Sequence, residues 1–260
     1  MNIGISTASL FNKYCTEDCF EVLADIGCRI SEVFFNTYSE YGAEFAKKLK
    51  GRLNGVKVHS VHALGTQFEP ELFSINGRVR NDAESVLKKV MESAVTLGAG
   101  YYTFHGQYRM KRFKSEINLD ALGAGVNRVI DIAEGFGITV SYENVHYAYS
   151  AEPDFFRIIK ERCPRLAFTL DVKQAMQAYH LPREYLKTMG GSISTVHVCD
   201  VTADNVPVLP GRGVVDFKEF FAELSGAGVD VPVLLEVYAD NYRTADELRG
   251  CFELIKKLAE

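Results

Sequence analysis

A single closed (β/α)8 barrel, eight parallel strands each followed by a helix, is the fold the sequence predicts. Three observations predict it. One unit recurs along the 260 residues: apolar strand, polar loop, amphipathic helix, glycine, next strand. The strands are near-continuous apolar runs, as expected when both faces are buried. Alternation of this kind makes a parallel sheet with crossover helices, and eight units in this length fit a closed barrel. A doubly wound open sheet is the alternative, but no G-x-G-x-x-G follows any strand; GISTASL after the first strand is not that motif. No linker or composition break divides the chain, so residues 1–260 read as one domain.

Each element has its own justification. The first strand is Asn2 to Ser6. Thr16 is placed to cap a helix with Phe20, Leu23 and Ala24 on one face and Gly27 as terminator. The second strand runs from about Ile30 to Phe35. Its helix turns Phe45, Leu49 and Leu53 inward and stops at Gly55. VKVHSVH is the third strand, ending near His62. A long loop from Ala63 to Gly77 follows, of the length usually associated with function. Asn81 or Asp82 is expected to cap the next helix, whose Ala83, Val86, Leu87, Val90, Met91 and Ala94 keep three-and-four spacing. YYTFH is strand four, and a helix over Leu119 to Phe136 precedes strand five, which ends on Glu143. Pro153 suits a helix first turn. RLAFTLD is strand six, and one or two short helices divided near Pro182 follow it. SISTVHVCD is strand seven, VPVLLE strand eight. Asp216 with Glu219, and Thr244 with Glu247, are capping-box patterns before the last two helices.

Composition narrows the function. Apolar residues make up 47% and charged residues 24%, with a formal charge of −5. No basic excess is available to neutralise phosphates, so a general nucleic-acid binder is disfavoured. No apolar run approaches membrane-spanning length, and MNIGISTASLF has no basic region before an apolar core. Cys15, Cys19, Cys28, Cys163, Cys199 and Cys251 are scattered without paired C-x-x-C motifs, which reads as reduced thiols of a cytoplasmic protein.

Function concentrates at the strand ends. In a barrel, chemistry sits at the C-terminal ends of the strands. Here those ends are Ser6-Thr7, Phe35-Asn36, His62, His105, Glu143-Asn144, Asp171, His197 and Glu236, while helix ends at the opposite rim are mostly glycine. A carboxylate at the tip of an apolar strand is costly unless something positive meets it. Four consecutive units deliver one metal-type ligand each: Glu143, Asp171, His197 and Glu236. This mixed oxygen and nitrogen set suits manganese or magnesium, and could hold zinc or cobalt.

SYEN, TLDVKQA, STVHVCD, LPGRGVVDF and LLEVY, in that order, resemble the xylose isomerase-like barrel superfamily, and within it the sugar phosphate isomerase/epimerase group. The resemblance spans the chain by its rhythm and is specific from strand five onward. It implies one divalent ion held by Glu143, Asp171, His197 and Glu236, with Glu143 and Glu236 also serving as acid and base on opposite faces of a sugar-like substrate. A metal clamping a carbonyl and a neighbouring hydroxyl acidifies the carbon between them, so proton transfer through an enediolate needs no organic cofactor. Barrels of this family often pair through their loops, which makes a homo-oligomer an expectation with no surface assigned.

The sequence departs from the family's substrate set. Gln174 stands where epimerases carry a histidine, Ala203 where ketose 3-epimerases carry an arginine, and Tyr149 where they carry a glutamate. The same superfamily contains abasic-site endonucleases with three zinc ions. His62 and His105 occupy positions those enzymes use, but Gln174 replaces one zinc-binding histidine and no D-x-H follows strand seven. A dehydratase of keto-inositols begins with the same proton abstraction and stays open, as does a sugar-binding barrel without turnover. His62, His105, Gln174 and Arg212 are the expected substrate contacts, Arg212 for an anionic end; the alternative for each histidine is a hydrogen-bonded strand end. Arg109, Lys111, Arg112 and Lys114 read as a solvated basic face. His59 and His180 read as structural and Cys199 as packing, His146 reads as part of an aromatic wall, and Asp200 is placed to support the metal shell.

Overall fold

The structure, a computed structural model, describes residues 1–109 and 117–260. Eight parallel strands close on themselves: β1 (Ile3–Ser6), β2 (Ile30–Phe35), β3 (Lys57–Ala63), β4 (Tyr101–Phe104), β5 (Thr139–Glu143), β6 (Ala167–Asp171), β7 (Ile193–Val198) and β8 (Val233–Leu235). Each pairs with its neighbours in sequence, and β8 closes on β1 with Ile3 opposite Val233 and Ile5 opposite Leu235. The predicted barrel is therefore the observed one.

Around it run α1 (Cys19–Ile26), α2 (Ala43–Lys50), α3 (Gly77–Leu97), α4 (Leu119–Glu134), α5 (Asp154–Arg162), α6 (Val172–Gln177), α7 (Pro182–Met189), α8 (Phe217–Gly226) and α9 (Ala245–Leu258). The main apolar core lies between helices and strands, where Phe20, Leu23, Leu87, Val90, Val129, Phe156, Leu224 and Phe252 meet outward strand residues such as Val33, Tyr102 and Tyr142. Among the described residues, no helix is long and apolar enough to cross a membrane.

Several boundaries differ from expectation. Thr16 does not cap α1; it lies in a short 3-10 turn, and its hydroxyl donates to Glu40 at 3.0 Å. α2 stops at Gly51 rather than Gly55. α3 starts earlier than expected, because Asn76 caps it by accepting the Arg78 N–H at 3.0 Å. Gly27 ends α1 with φ +90, and Thr244 with Glu247 forms a reciprocal box at α9. Asp216 caps α8 by accepting the Glu219 N–H.

The barrel interior is polar, which apolar periodicity did not foreshadow. Ser6, Ser60, Thr103, Ser141, Thr169 and Thr195 are all buried, and hydroxyls bridge between strands. Two one-residue slips phase the strands. Between β2 and β3 the register passes from Val58 to Ser60, leaving His59 as the extra residue; between β6 and β7 it passes from Ile193 to Thr195, leaving Ser194. The two extra residues meet across the barrel, with His59 Nε2 3.2 Å from the Ser194 carbonyl and 3.0 Å from the Thr195 hydroxyl. Bulges of this kind re-aim the side chains that follow. Here those are His62 and His197.

Candidate metal centre

Strands β5 to β8 deliver Glu143, Asp171, His197 and Glu236 to one rim, and one ligand atom of each lies within 4.8 Å of the others. His197 is fully buried. Its Nδ1 is 3.1 Å from Glu236 Oε2, 3.4 Å from Glu143 Oε1 and 3.9 Å from Asp171 Oδ2. His197 Nδ1, Glu143 Oε2 and Glu236 Oε2 are buried and have no hydrogen-bond partner. Buried polar atoms normally find one. Orphaned hard-donor atoms converging from four strands fit a divalent cation.

Each ligand is aimed by a neighbour. Glu32, in the interior of β2, lies beneath the set with Oε1 3.4 Å from His197 Nε2. It accepts hydroxyl bonds from Ser60 at 2.8 Å, Thr103 at 2.5 Å and Ser6 at 3.3 Å. A carboxylate on the far nitrogen fixes the ring and keeps Nδ1 free for a metal. Asp171 is held by Asn144, whose side chain donates to the Asp171 carbonyl and accepts its N–H. Asp171 Oδ1 caps α6 through the Gln174 N–H at 2.7 Å. Glu143 Oε2 meets His105 Nε2 at 2.9 Å, and the Tyr147 hydroxyl is 3.2 Å from His105 Nδ1. The end of β4 is in turn fixed by Glu69, which accepts from the Tyr102 hydroxyl and the His105 and Gly106 N–H groups. Gly106 has φ +74, and a Cβ there would run into the Tyr142 hydroxyl, so this close approach requires glycine.

Electrostatics follow the packing. Burial alone pushes the Glu32 and Glu143 carboxyls up, but the neighbouring histidines outweigh it and hold both well below the usual carboxylate range. Burial lowers the His197 imidazole, yet Glu236, Glu32 and Glu143 overcome that and raise it well above its ordinary value. His62 behaves alike: Glu32 wins over burial and pushes it up to about 9. Burial drives Asp171 up to about 6 although Lys173 opposes it.

A cavity of about 190 Å3 opens on this set, bounded by Phe11, Phe34, His62, His105, Tyr147, Lys173, Gln174, Glu236 and Tyr238. The family described as xylose isomerase-like TIM barrel matches residues 20–258. The chain belongs to that family. An uncharacterised protein of Methanocaldococcus jannaschii is 23% identical to this family member, with 99% of each chain covered. Two solved structures share its fold. One is a D-psicose 3-epimerase from Clostridium cellulolyticum H10 with D-tagatose, at TM-score 0.82, 16% identity and full coverage of both chains. The other is an IolI protein with a zinc atom, at TM-score 0.78 and 17% identity, covering 100% of this chain and 98% of that one.

The structure brings His62, His105 and Gln174 to the cavity, where the sequence expected them. Gln174 Oε1 is engaged by the N–H and Nδ1 of His146. Two expectations are corrected. Arg212 does not border the cavity; its guanidinium is exposed and pairs with Glu247 at 3.0 Å, because the loop after β7 turns outward. Asp200 does not support the metal ligands; its carboxylate gathers the N–H groups of Val201, Gly211, Gly213 and Val215 into one loop. His180 pairs with Glu152 and Glu184, and Arg109 with Glu152. Lys111, Arg112 and Lys114 lie outside the described residues.

Sequence reasoning missed Glu32, Lys173 and Glu69. Glu32 carried a signal: one charge within the apolar run ISEVFF, on the parity of Ile30 and Phe34. Glu69 lay in a polar loop, and Lys173 in a helix first turn, where charge is ordinary.

Proposed function

We propose that this protein is a divalent-metal-dependent isomerase or epimerase of a small sugar-like hydroxy-carbonyl compound. One observation carries the reading: orphaned buried ligand atoms of Glu143, His197 and Glu236 converge with Asp171 at the mouth of a small cavity. A divalent ion held by Glu143, Asp171, His197 and Glu236 would polarise a carbonyl and its neighbouring hydroxyl, acidifying the carbon between them. The chain's own residues do the rest. Glu143 and Glu236 stand on two sides of His197 Nδ1, so one can take a proton from the substrate carbon and the other return it. With the Tyr147 hydroxyl donating to Nδ1 of His105, the His105 Nε2–H faces Glu143 and steadies its charge. Phe11, Phe34 and Tyr238 line the wall and exclude water from the carbanionic stage. The similarity to structures of a D-psicose 3-epimerase and a zinc-containing IolI protein supports the same chemistry.

The test is metal content after loading with Mn2+, Mg2+ or Zn2+ and desalting, followed by exchange of substrate carbon-bound protons with D2O across a set of ketoses and keto-inositols. The expected result is one ion per chain, lost in His197→Ala and Glu236→Ala, with exchange only in the loaded enzyme. Loss of water from the product would assign the keto-sugar dehydratase instead. Two or three zinc ions would favour an abasic-site nuclease. No retained ion would sink the mechanism.

A further inference from the structure

Lys173 follows Asp171 by two positions in the first turn of α6, yet its side chain is 1% exposed. The ammonium lies 3.0 Å from Asp171 Oδ2 and 3.1 Å from Glu236 Oε1, and 5.3 Å from the centre of the Tyr238 ring. Both carboxylates belong to the four-ligand set. Asp171 has little latitude, because its Oδ1 is committed to the Gln174 N–H at 2.7 Å. Its one free oxygen, Oδ2, is the atom that faces both His197 Nδ1 and Lys173. Any cation held by this set must share that oxygen with the ammonium. A tethered charge cannot leave a buried site as a water or a proton can.

We propose that Lys173 is a resident counter-cation of the metal centre, competing with the divalent ion for Asp171 and Glu236 and so limiting how tightly the ion is held. The inference rests on the metal-dependent reading above. Four buried carboxylates, Glu32, Glu143, Asp171 and Glu236, crowd a small volume, and Lys173 offsets one charge while the ion is absent. Once an ion binds, the same ammonium repels it at short range in a poorly screened site. A lysine that merely held the ligands in place would help the ion to bind. A competing lysine hinders it. The two roles therefore predict opposite signs.

The experiment is a calorimetric titration of the metal-stripped chain with Mn2+, comparing wild type, Lys173→Met and Lys173→Gln, with His197→Ala as the blank. Removing the ammonium is expected to tighten Mn2+ binding by about 10- to 100-fold, the scale of one short-range charge interaction. The same variants are expected to melt lower when stripped and to gain more in Tm than wild type on adding Mn2+. If Lys173→Met does not fold without metal, Lys173→Gln purified in Mn2+ and challenged with graded chelator gives the same comparison. One ion in wild type with equal or weaker binding in both variants would overturn the inference and leave the metal-dependent reading standing. No Mn2+ bound by any of the folded proteins would overturn both.

Discussion

Glu32 is the residue on which the centre turns. It is fully buried, bound by three hydroxyls, and its nearest charged neighbours are the imidazoles of His62 and His197. A carboxylate there fixes which His197 nitrogen is free. Glu32→Gln keeps the shape, and the hydroxyls can rotate to meet the amide. It is expected to weaken Mn2+ binding by about 10- to 100-fold, the usual cost of losing a partner behind a ligand. Titration of the two proteins side by side measures it, and equal affinities would refute the assignment. The protonation states add a pH dependence. Asp171 is raised from 3.8 to about 6 by burial, so below pH 6 it carries a proton and cannot ligate. From this group the metal-free fold gains stability as pH falls through 6, because the native state then holds the proton more tightly than the unfolded chain does. Metal binding changes in the opposite sense. The rise in Tm on adding Mn2+ should therefore shrink as pH drops from 7 to 5. His197 is raised well above its ordinary value, so uptake of the ion should also expel protons at neutral pH. Calorimetry in buffers of different ionisation enthalpy reads that release directly.

At the scale of elements, the strand bulges and the loop after β7 set what reaches the rim. The extra residues His59 and Ser194 change the phase of β3 and β7, so Ser60 and His62, and Thr195 and His197, face inward together. The loop from Cys199 to Val215 is organised by a different device. Asp200 is buried and binds four backbone N–H groups at 2.9–3.0 Å. A two-residue antiparallel ribbon, Asp200–Val201 with Pro207–Val208, is built on the same loop. Asp200→Ala leaves four buried donors unmet at once. It should cost on the order of 2–4 kcal/mol in denaturant unfolding, since each unmet buried donor is itself expensive. The stoichiometry of Mn2+ should stay at one, because Asp200 touches no ligand. Loss of the ion in a folded Asp200→Ala would return Asp200 to the metal shell.

For the whole molecule, the cavity and the thiols give the sharpest expectations. At about 190 Å3 the cavity lies below the roughly 300–1,000 Å3 of pockets that hold drug-sized ligands, so it suits a single sugar ring or open-chain ketose. Monosaccharides should protect the loaded enzyme against thermal unfolding and disaccharides should not. All six cysteines are free, and only Cys15 is exposed. Burial pushes the Cys19 and Cys199 thiols up to about 12 and those of Cys163 and Cys251 up to about 11. A thiol reagent should label one cysteine per native chain and six after denaturation. Fast labelling of a second would show that the helix layer opens more readily than its packing indicates.

Much of this was legible in the residues alone. Helix and strand periods determined the barrel, because each unit must bury one face against its neighbours. The ends of β5 to β8 announced Glu143, Asp171, His197 and Glu236, because a carboxylate closing an apolar run has no other ready explanation. What periodicity reports is which side of an element is buried, not which partners wait there. The polar barrel interior therefore went unread, and with it Glu32. The same limit explains Arg212 and Lys173. Both are long, flexible cations in loops or helix first turns, and neither position constrains where the charged end goes. Only the folded chain decides, by setting Glu247 beside Arg212 at the surface and two carboxylates from β6 and β8 around Lys173 in the interior.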